Sequence, residues 1–262
     1  MELQKQEYDK IIEYIDLAKK NSNYEFECIH TQRISSQIFQ TIMKNLDHNE
    51  SFLLDKTVNR ESLDLIIHNE NYRFTLHNQD DIDIYCKENI LQNYTLCKKE
   101  LIDNIAAINL PAYNIYFKMK SEIDINDAEK RMEIAKMYNR SLKYFRYKKR
   151  FSYLHVSKAF RVDLTVVKKS SQLSESLSLS GTLSQLEHYE IEIEFLNNEH
   201  SEKLDNDKCV EILFDCIDIL LELIENSNFI IKNDEKESVL NEYLLLVTSI
   251  SSHNMKYILQ NP

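Results

Sequence analysis

The sequence predicts an α+β fold in which helices flank a mostly antiparallel sheet or barrel. Three observations support this prediction. Apolar residues near the start recur at helical spacing, several segments in the middle alternate apolar and polar residues, and helical spacing returns after about residue 207. The single glycine, Gly181, excludes Gly-rich phosphate loops and dinucleotide-binding fingerprints, because those motifs need glycines at fixed offsets.

The first part of the chain predicts a helix, a strand and a second helix. The first helix ends at the polar residues 21–23. Its apolar stripe consists of Tyr8, Ile11, Ile12 and Ile15. Residues 24–30, YEFECIH, alternate as a strand does, and the apolar residues between 34 and 46 have the period of a second helix.

The middle of the chain predicts most of the strands. Residues 62–78 have the pattern of a hairpin around the polar turn 68–71. Further strands are expected over residues 115–120, 144–156, 160–169 and 189–195. The serine-rich residues 170–184 are expected to form a mobile loop before the last of these strands.

The end of the chain predicts helices. An apolar stripe at helical spacing runs from Val210 to Ile224, and residues 239–247 begin another helix. No linker composition divides the sequence, so a single domain is expected over residues 1–262, with its helical part at about 207–262.

Overall charge and composition narrow the possible partners. The formal net charge is −11 and the pI is about 5.3, which argues against DNA and against broad, sequence-independent nucleic-acid binding, since such binding normally uses a basic surface. The sequence shows no signal peptide and no apolar run of membrane-spanning length, so no membrane partner is expected. Five cysteines without CxxC spacing favour a reducing, cytoplasmic compartment.

Two of the expected strands carry acidic side chains on one face. Glu190, Glu192 and Glu194 occupy alternate positions of one strand, and Glu25 and Glu27 do so in the other. A solvated face is the commoner explanation of either strand alone. If the two strands are neighbours in a closed barrel, five carboxylates share one interior, which requires a divalent cation, basic partners, or both.

Two further strands supply basic or mixed charge at the same spacing. The first row consists of Arg146, Lys148 and Arg150, and the second of Arg161, Asp163 and Thr165. Either row alone is typical of a solvated surface. Carboxylates for a metal ion combined with arginine and lysine for phosphate oxygens are what a bound triphosphate–metal complex requires.

These acidic and basic strands resemble those of the triphosphate tunnel metalloenzymes. RYKKRFSY (146–153), FRVDLTVVK (160–168) and HYEIEIEF (188–195) are especially similar to the RNA 5′-triphosphatase domains of mRNA capping enzymes from large cytoplasmic DNA viruses and virus-like elements. YRFTLHNQDDI (72–82) and YFKMKSEIDI (116–125) also resemble strands of that family. The resemblance implies a closed antiparallel β-barrel, the triphosphate tunnel, with supporting helices at both ends of the chain.

The same resemblance implies roles for individual residues. The metal ligands, for Mg²⁺ or Mn²⁺, would be Glu25, Glu27, Glu190, Glu192 and Glu194, and which of the last three orients water stays open. The phosphate contacts would be Arg146, Lys148, Arg150, Arg161, Arg73, Lys118, Lys120 and Lys168. Thr165 would support the tunnel wall, and Asp163 would orient a basic side chain. The catalytic set would be Glu192, Arg150, Lys148 and Asp163.

The implied activity is metal-dependent removal of the γ-phosphate from the 5′ end of nascent mRNA, the first step of cap formation. Two alternatives stay open: hydrolysis of free nucleoside triphosphates or tripolyphosphate by the same fold, and a non-catalytic RNA-end-binding module. The resemblance also implies that this domain is the first part of a longer capping enzyme, with a guanylyltransferase domain following it. Triphosphate-ended RNA and NTPs would be its ligands, in the cytoplasm or, for a viral protein, in the virion or viral factory.

Overall fold

The computed structural model describes residues 3–57 and 61–260, with side chains up to residue 248. Its helices are α1 Lys5–Lys20, α2 Ser36–Leu46, α3 Gln79–Glu88, α4 Ala128–Arg140, α5 Leu177–Ser180, α6 Asn206–Glu225 and α7 Asn233–Gln260. Its strands are β1 Tyr24–His30, β2 Phe52–Leu54, β3 Glu61–Ile67, β4 Tyr72–Leu76, β5 Tyr94–Leu101, β6 Ile108–Leu110, β7 Ile115–Asp124, β8 Lys143–His155, β9 Phe160–Lys169 and β10 His188–Phe195. Short 3₁₀ turns occupy Pro111–Tyr113 and Thr182–Ser184.

Eight of the described strands close into an antiparallel barrel. Around the barrel they run in the order β1, β10, β9, β8, β3, β4, β5, β7 and back to β1. The remaining two strands extend the barrel at its side, where β2 pairs with β8 and β6 pairs with β7. The predicted α+β class and closed antiparallel barrel are confirmed. Closure places the first strand of the chain beside the last one.

The barrel is polar inside and apolar outside. Because side chains alternate along a strand, Phe26 and Cys28 of β1 face outward, and both are buried under helices. Ile11 and Ile15 of α1, with Leu213 of α6, complete this core on the outer surface of β1, β9 and β10. Burial of these apolar faces stabilises the barrel from outside and leaves its interior free for charged side chains.

A second apolar core covers the opposite side of the barrel. Leu65 of β3, Phe74 of β4 and Phe145 of β8 contribute apolar side chains with no measurable exposure. Helices α3 and α4 cover them, and the hydroxyl groups of Tyr85 and Tyr138 lie 2.5 Å apart within this layer. Helices therefore hold the barrel on two sides.

Two expectations about local structure are wrong. Residues 79–82 do not continue a strand, because the Asn78 side chain accepts a hydrogen bond from the Asp81 backbone N–H and caps α3. The serine-rich segment 170–184 is not simply a mobile loop: it contains α5 and a 3₁₀ turn. Leu177 joins the second core, and the buried hydroxyls of Ser180 and Thr182 lie 2.6 Å apart.

Besides α5, five elements of the described chain lie outside the sequence-based expectations, namely α3, α4, β2, β5 and β6. The expected helices before residue 50, the hairpin, the strands over 115–120, 144–156, 160–169 and 189–195, and the helix over 210–224 are confirmed. The helix expected from residue 239 is also confirmed, within the longer α7. None of the helices in the described part of the chain is long and apolar enough to cross a membrane.

Candidate active site

The interior of the barrel is a charged cavity of about 580 Å³. Charged side chains from six of its strands reach the cavity wall. From the predicted site they are Glu25, Glu27, Arg73, Lys118, Lys120, Arg146, Lys148, Arg150, Glu192 and Glu194. The structure therefore brings ten of the predicted side chains together around one space.

The acidic face of the cavity is formed by β1 and β10. These strands are neighbours, and Glu27 lies directly opposite Glu194 in the register. Like charges opposite one another destabilise a sheet, but each of the two contacts a cation: Glu27 pairs with Lys118, and the Glu194 carboxylate lies 2.5 Å from Arg161. The Glu27–Glu194 pair therefore lowers the stability of the sheet and concentrates negative charge on this face of the cavity.

Burial makes two of these carboxylates, Glu27 and Glu194, hard to ionise. It raises the pKa of Glu194 to about 8; Arg161 acts against this rise, and the negative charges of Glu25, Asp163 and Glu27 add to it. Burial also raises the pKa of Glu27, with Glu25 and Glu192 as further causes. The pKa of Glu25 is lowered, because its contact with Lys99, at 2.6 Å, outweighs its burial.

The basic wall of the cavity is centred on β8. Lys148 lies 2.7 Å from Asp64 of β3, whose side chain has no exposed surface. Although burial opposes it, the field of Lys148 and Arg73 lowers the pKa of Asp64 to about 2. Burial lowers the pKa of Lys148. Asp64 thus holds the Lys148 ammonium group in a fixed place at the cavity wall.

Asp163 is a buried positioning residue on the inner face of β9, opposite Glu192. Its buried carboxylate accepts hydrogen bonds from Arg150 at 3.0 Å, from Arg161 at 2.9 and 3.0 Å, and from Ser152 at 2.6 Å. Thr165 accepts a further hydrogen bond from Arg150 at 3.3 Å. Asp163 and Thr165 therefore fix the guanidinium group of Arg150, and its Nη2 atom lies 3.7 Å from the Glu192 carboxylate.

A third group of charges lies where β4, β5 and β7 meet. Glu122 pairs with Arg73 at 2.5 Å and also contacts Lys99. Although burial opposes it, Asp64 and Glu122 raise the pKa of Arg73, and Glu25 and Glu122 raise the pKa of Lys99. Lys120 lies in the same part of the cavity, where burial and the nearby cations lower its pKa.

Sequence reasoning missed several residues of this site. They are Asp64, Lys99, Glu122, Asp124 and His77. Asp64 could have been found as the one acid between Leu63 and Leu65 of an alternating strand, and Glu122 and Asp124 continue the period-2 row of Lys118 and Lys120. Lys99 carried no such signal, because its strand was not predicted.

Five residues with a predicted role lie outside the cavity lining, namely Glu190, Arg161, Asp163, Thr165 and Lys168. Glu190 contacts Arg146 at 2.7 Å at the edge of the acidic row. Arg161 and Asp163 are on the inner face of β9, opposite Glu194 and Glu192, but they do not line the cavity. The placement expected for Lys168 is wrong: its register partner is Tyr147, on the outer face of β8, and its ammonium group donates to the Leu183 carbonyl at 3.2 Å. Even and odd positions of β9 face opposite sides, which removes Lys168 from the row of Arg161.

The acidic face fits a divalent cation by its chemistry. Carboxylate oxygens are the ligands that Mg²⁺ and Mn²⁺ prefer, and four carboxylates, from Glu25, Glu27, Glu192 and Glu194, line one cavity. Among the described side chains, no three acidic, histidine or cysteine groups already surround one point. Glu25, Glu27, Glu192 or Glu194 would have to turn from their lysine and arginine partners to hold a metal ion.

An antiparallel barrel with a tunnel of facing acidic and basic rows defines a triphosphate tunnel enzyme. Solved structures share this fold. The RNA triphosphatase domain of a trifunctional mimivirus mRNA capping enzyme is 21% identical over 84% of this chain and 99% of its own, with a TM-score of 0.60. The RNA triphosphatase Pct1 of S. pombe is 13% identical over 84% of this chain and 93% of its own, with a TM-score of 0.52.

The family of the chain follows from its sequence. The model of the family described as mRNA capping enzyme, beta chain, matches residues 3–236, and this protein belongs to that family. None of the curated proteins matches the chain. Triphosphatases of the tunnel type depend on a metal ion in general.

Proposed function

We infer that this protein is an RNA 5′-triphosphatase that removes the γ-phosphate from the 5′ end of nascent mRNA before capping. The observation that carries this inference is the convergence of two glutamate strands and one arginine–lysine strand on a single cavity, in a chain of the capping-enzyme beta-chain family. The substrate would be triphosphate-ended RNA, and the metal ion would be Mg²⁺ or Mn²⁺.

Different residues of the tunnel would have different roles in the reaction. Lys148 and Arg150, held by Asp64 and Asp163, would bind the phosphate oxygens and neutralise the charge that the reaction develops on them. Glu192 would accept the proton of the attacking water. A divalent ion held by Glu25, Glu27, Glu192 and Glu194 would supply Lewis-acid stabilisation of the phosphoryl group.

The cavity also favours hydrolysis of free nucleoside triphosphates as a second activity. Its described lining is almost entirely charged or hydroxyl-bearing, and His77 is the only aromatic ring in it. Such a wall recognises the triphosphate more than the base. We further propose that the domain precedes a guanylyltransferase in a longer capping enzyme, and that it acts in the cytoplasm, in a virion or in a viral factory.

The test is phosphate release from γ-labelled triphosphate-ended RNA, with GTP and inorganic tripolyphosphate in parallel. We expect release only when Mg²⁺ or Mn²⁺ is present, and its loss in EDTA. Release from GTP and tripolyphosphate without release from RNA would instead identify an NTP or tripolyphosphate hydrolase. Tight RNA binding without turnover of any substrate would identify a non-catalytic end-binding module.

A further inference from the structure

His77 has a distinct place in the tunnel. It is the only residue with an aromatic ring among the described residues that line the cavity. It directly follows β4, so it lies at the mouth of the barrel where the antiparallel neighbours β3 and β5 begin. The opposite mouth, where β3 ends and β4 begins, presents Ile66, Asn71 and Arg146 to the cavity. The two mouths therefore differ in chemistry.

His77 contacts an uncharged polar group at this mouth of the barrel. Its Nε2 atom lies 2.8 Å from the Thr95 hydroxyl. Ser62, at the start of β3 beside the Leu63–Leu76 pair, and Thr57, which precedes that strand, also line the cavity. Burial and the nearby Lys148 lower the pKa of the half-buried imidazole, so the ring is neutral near pH 7. Neutral groups of this kind cannot compensate phosphate charge, and this part of the mouth is suited to another portion of the ligand.

His77 also lies next to the phosphate-binding wall. It is within the electrostatic field of Lys148, Arg73 and Asp64, the groups that form the centre of that wall. A triphosphate bound by Lys148 must continue into its nucleoside. Proteins that bind single-stranded RNA ends stack bases on aromatic rings, histidine included, and contact ribose hydroxyls with polar groups. A neutral ring among hydroxyl groups matches that requirement.

We propose that His77, with the hydroxyl groups of Thr57, Ser62 and Thr95, forms a subsite for the first nucleoside of the substrate at this mouth of the tunnel. The subsite makes the enzyme prefer triphosphates that carry a nucleoside over inorganic tripolyphosphate. This proposal rests on the proposed triphosphatase function and adds to it the residue that separates these substrate classes.

The test compares kcat/KM for triphosphate-ended RNA, GTP and inorganic tripolyphosphate in His77→Ala, His77→Gln and His77→Phe. For RNA and GTP we expect His77→Ala and His77→Gln to lose about tenfold, the order of change that one stacked base contributes. His77→Phe, which keeps a ring but cannot bond to Thr95, should retain most of the activity. Tripolyphosphate, which has no nucleoside, should be hydrolysed equally by all forms.

A matched control is His48→Ala, since His48 is exposed beyond α2 and contacts only its own segment, at the Lys44 carbonyl. Equal losses on all three substrates would overturn the subsite, because they would mean that His77 supports the phosphate wall. Unchanged RNA and GTP turnover in His77→Ala would overturn it as well. If the wild-type protein hydrolyses none of the substrates with either metal, the triphosphatase function itself fails, and the subsite with it.

Discussion

Glu192 is the residue on which the proposed chemistry depends most. It faces the cavity from the middle of β10, and its nearest cation, Arg150, is 3.7 Å away, a looser contact than those of Glu25 or Glu194. A carboxylate that is not tightly paired is available to a metal ion or to the attacking water. Its neighbours are other acids, so its removal also relieves repulsion.

We therefore expect Glu192→Ala to lower the rate of phosphate release by at least about a hundredfold. The melting temperature should stay within about 4 °C of wild type, since no close ion pair is lost. Phosphate release and thermal denaturation measure the two quantities. Glu199→Ala, at an exposed position, is the control. An unfolded Glu192→Ala protein would assign this residue to structure.

Glu194 predicts a pH dependence of stability. Its pKa is about 8 in the folded protein, against 4.5 for an unperturbed glutamate, so between these pH values the unfolded chain has lost a proton that the folded protein keeps. The free energy of unfolding of the metal-free protein therefore falls as the pH rises through this window. The lowered pKa values of His30, His77 and His155 act in the opposite direction near pH 6.5.

Comparison with Glu194→Gln isolates this contribution, because the amide does not titrate. In EDTA we expect the melting temperature of the variant to rise relative to wild type as the pH increases from 5 to 8. Thermal denaturation at several pH values measures the difference, and Glu199→Gln serves as the control. A difference that does not change with pH would show that Glu194 is ionised throughout.

At the scale of elements, α6 supports the acidic strand from outside the barrel. Leu213 is 1% exposed and packs in the core over β1, β9 and β10, away from the cavity. We expect Leu213→Ala to reduce the free energy of unfolding by about 2–5 kcal/mol, because it leaves a cavity in that core. The activity of the remaining folded protein should be unchanged, since no side chain in the tunnel is altered.

Denaturant unfolding and phosphate release, corrected for the folded fraction, test this role of α6. Glu211→Ala on the exposed side of the same helix provides the matched control, with a change of at most about 0.5 kcal/mol. A loss of turnover per folded molecule would mean that the helix also sets the geometry of the site.

At the scale of the whole molecule, metal binding and folding should be linked. A metal ion binds deprotonated carboxylates, and the pKa of Glu194, about 8, means that binding must release a proton near neutral pH. We expect Mn²⁺ to raise the melting temperature, and to raise it more at pH 8 than at pH 6, because a ligand of the folded state alone stabilises it. Thermal denaturation with and without MnCl₂ measures this shift.

The double variant Glu27→Gln with Glu192→Gln is the comparison for the metal experiment. It keeps the shape of both side chains and removes two charges from the acidic face, so the Mn²⁺-dependent shift should be lost. An equal shift at both pH values would contradict protonation of the acidic face, and an undiminished shift in the variant would place the metal elsewhere.

The protein also has a cationic site inside the barrel although its net charge is negative. The net charge is −11, yet the wall around Lys148 is cationic and buried inside the barrel. Because burial limits screening by salt, this wall can bind a triphosphate even on an acidic protein. The net charge of the whole chain therefore does not reveal this local binding site for a polyanion.

Alternation along single strands was readable in the sequence. It determined that Glu25 and Glu27 share a face, that Arg146, Lys148 and Arg150 share another, and that the intervening apolar residues face away. Helical periods likewise marked α1, α2 and α6. These properties depend on residues within a few positions of each other, so they can be read from one segment without knowledge of its neighbours in the fold.

Only the tertiary structure determined which of these rows of charged side chains lie next to each other in the barrel. Closure of β1 against β10 and β7 puts Glu27 opposite Glu194 and beside Lys118, and pairing of β3 with β8 puts Asp64 under Lys148. Register and closure depend on contacts between segments that are far apart in the sequence, such as β1 and β10. The periodicity of a single segment does not encode these contacts. For the same reason the sequence could indicate a charged row on β9 and a basic partner for Asp163, but not that this carboxylate would hold Arg150, Arg161 and Ser152 at once.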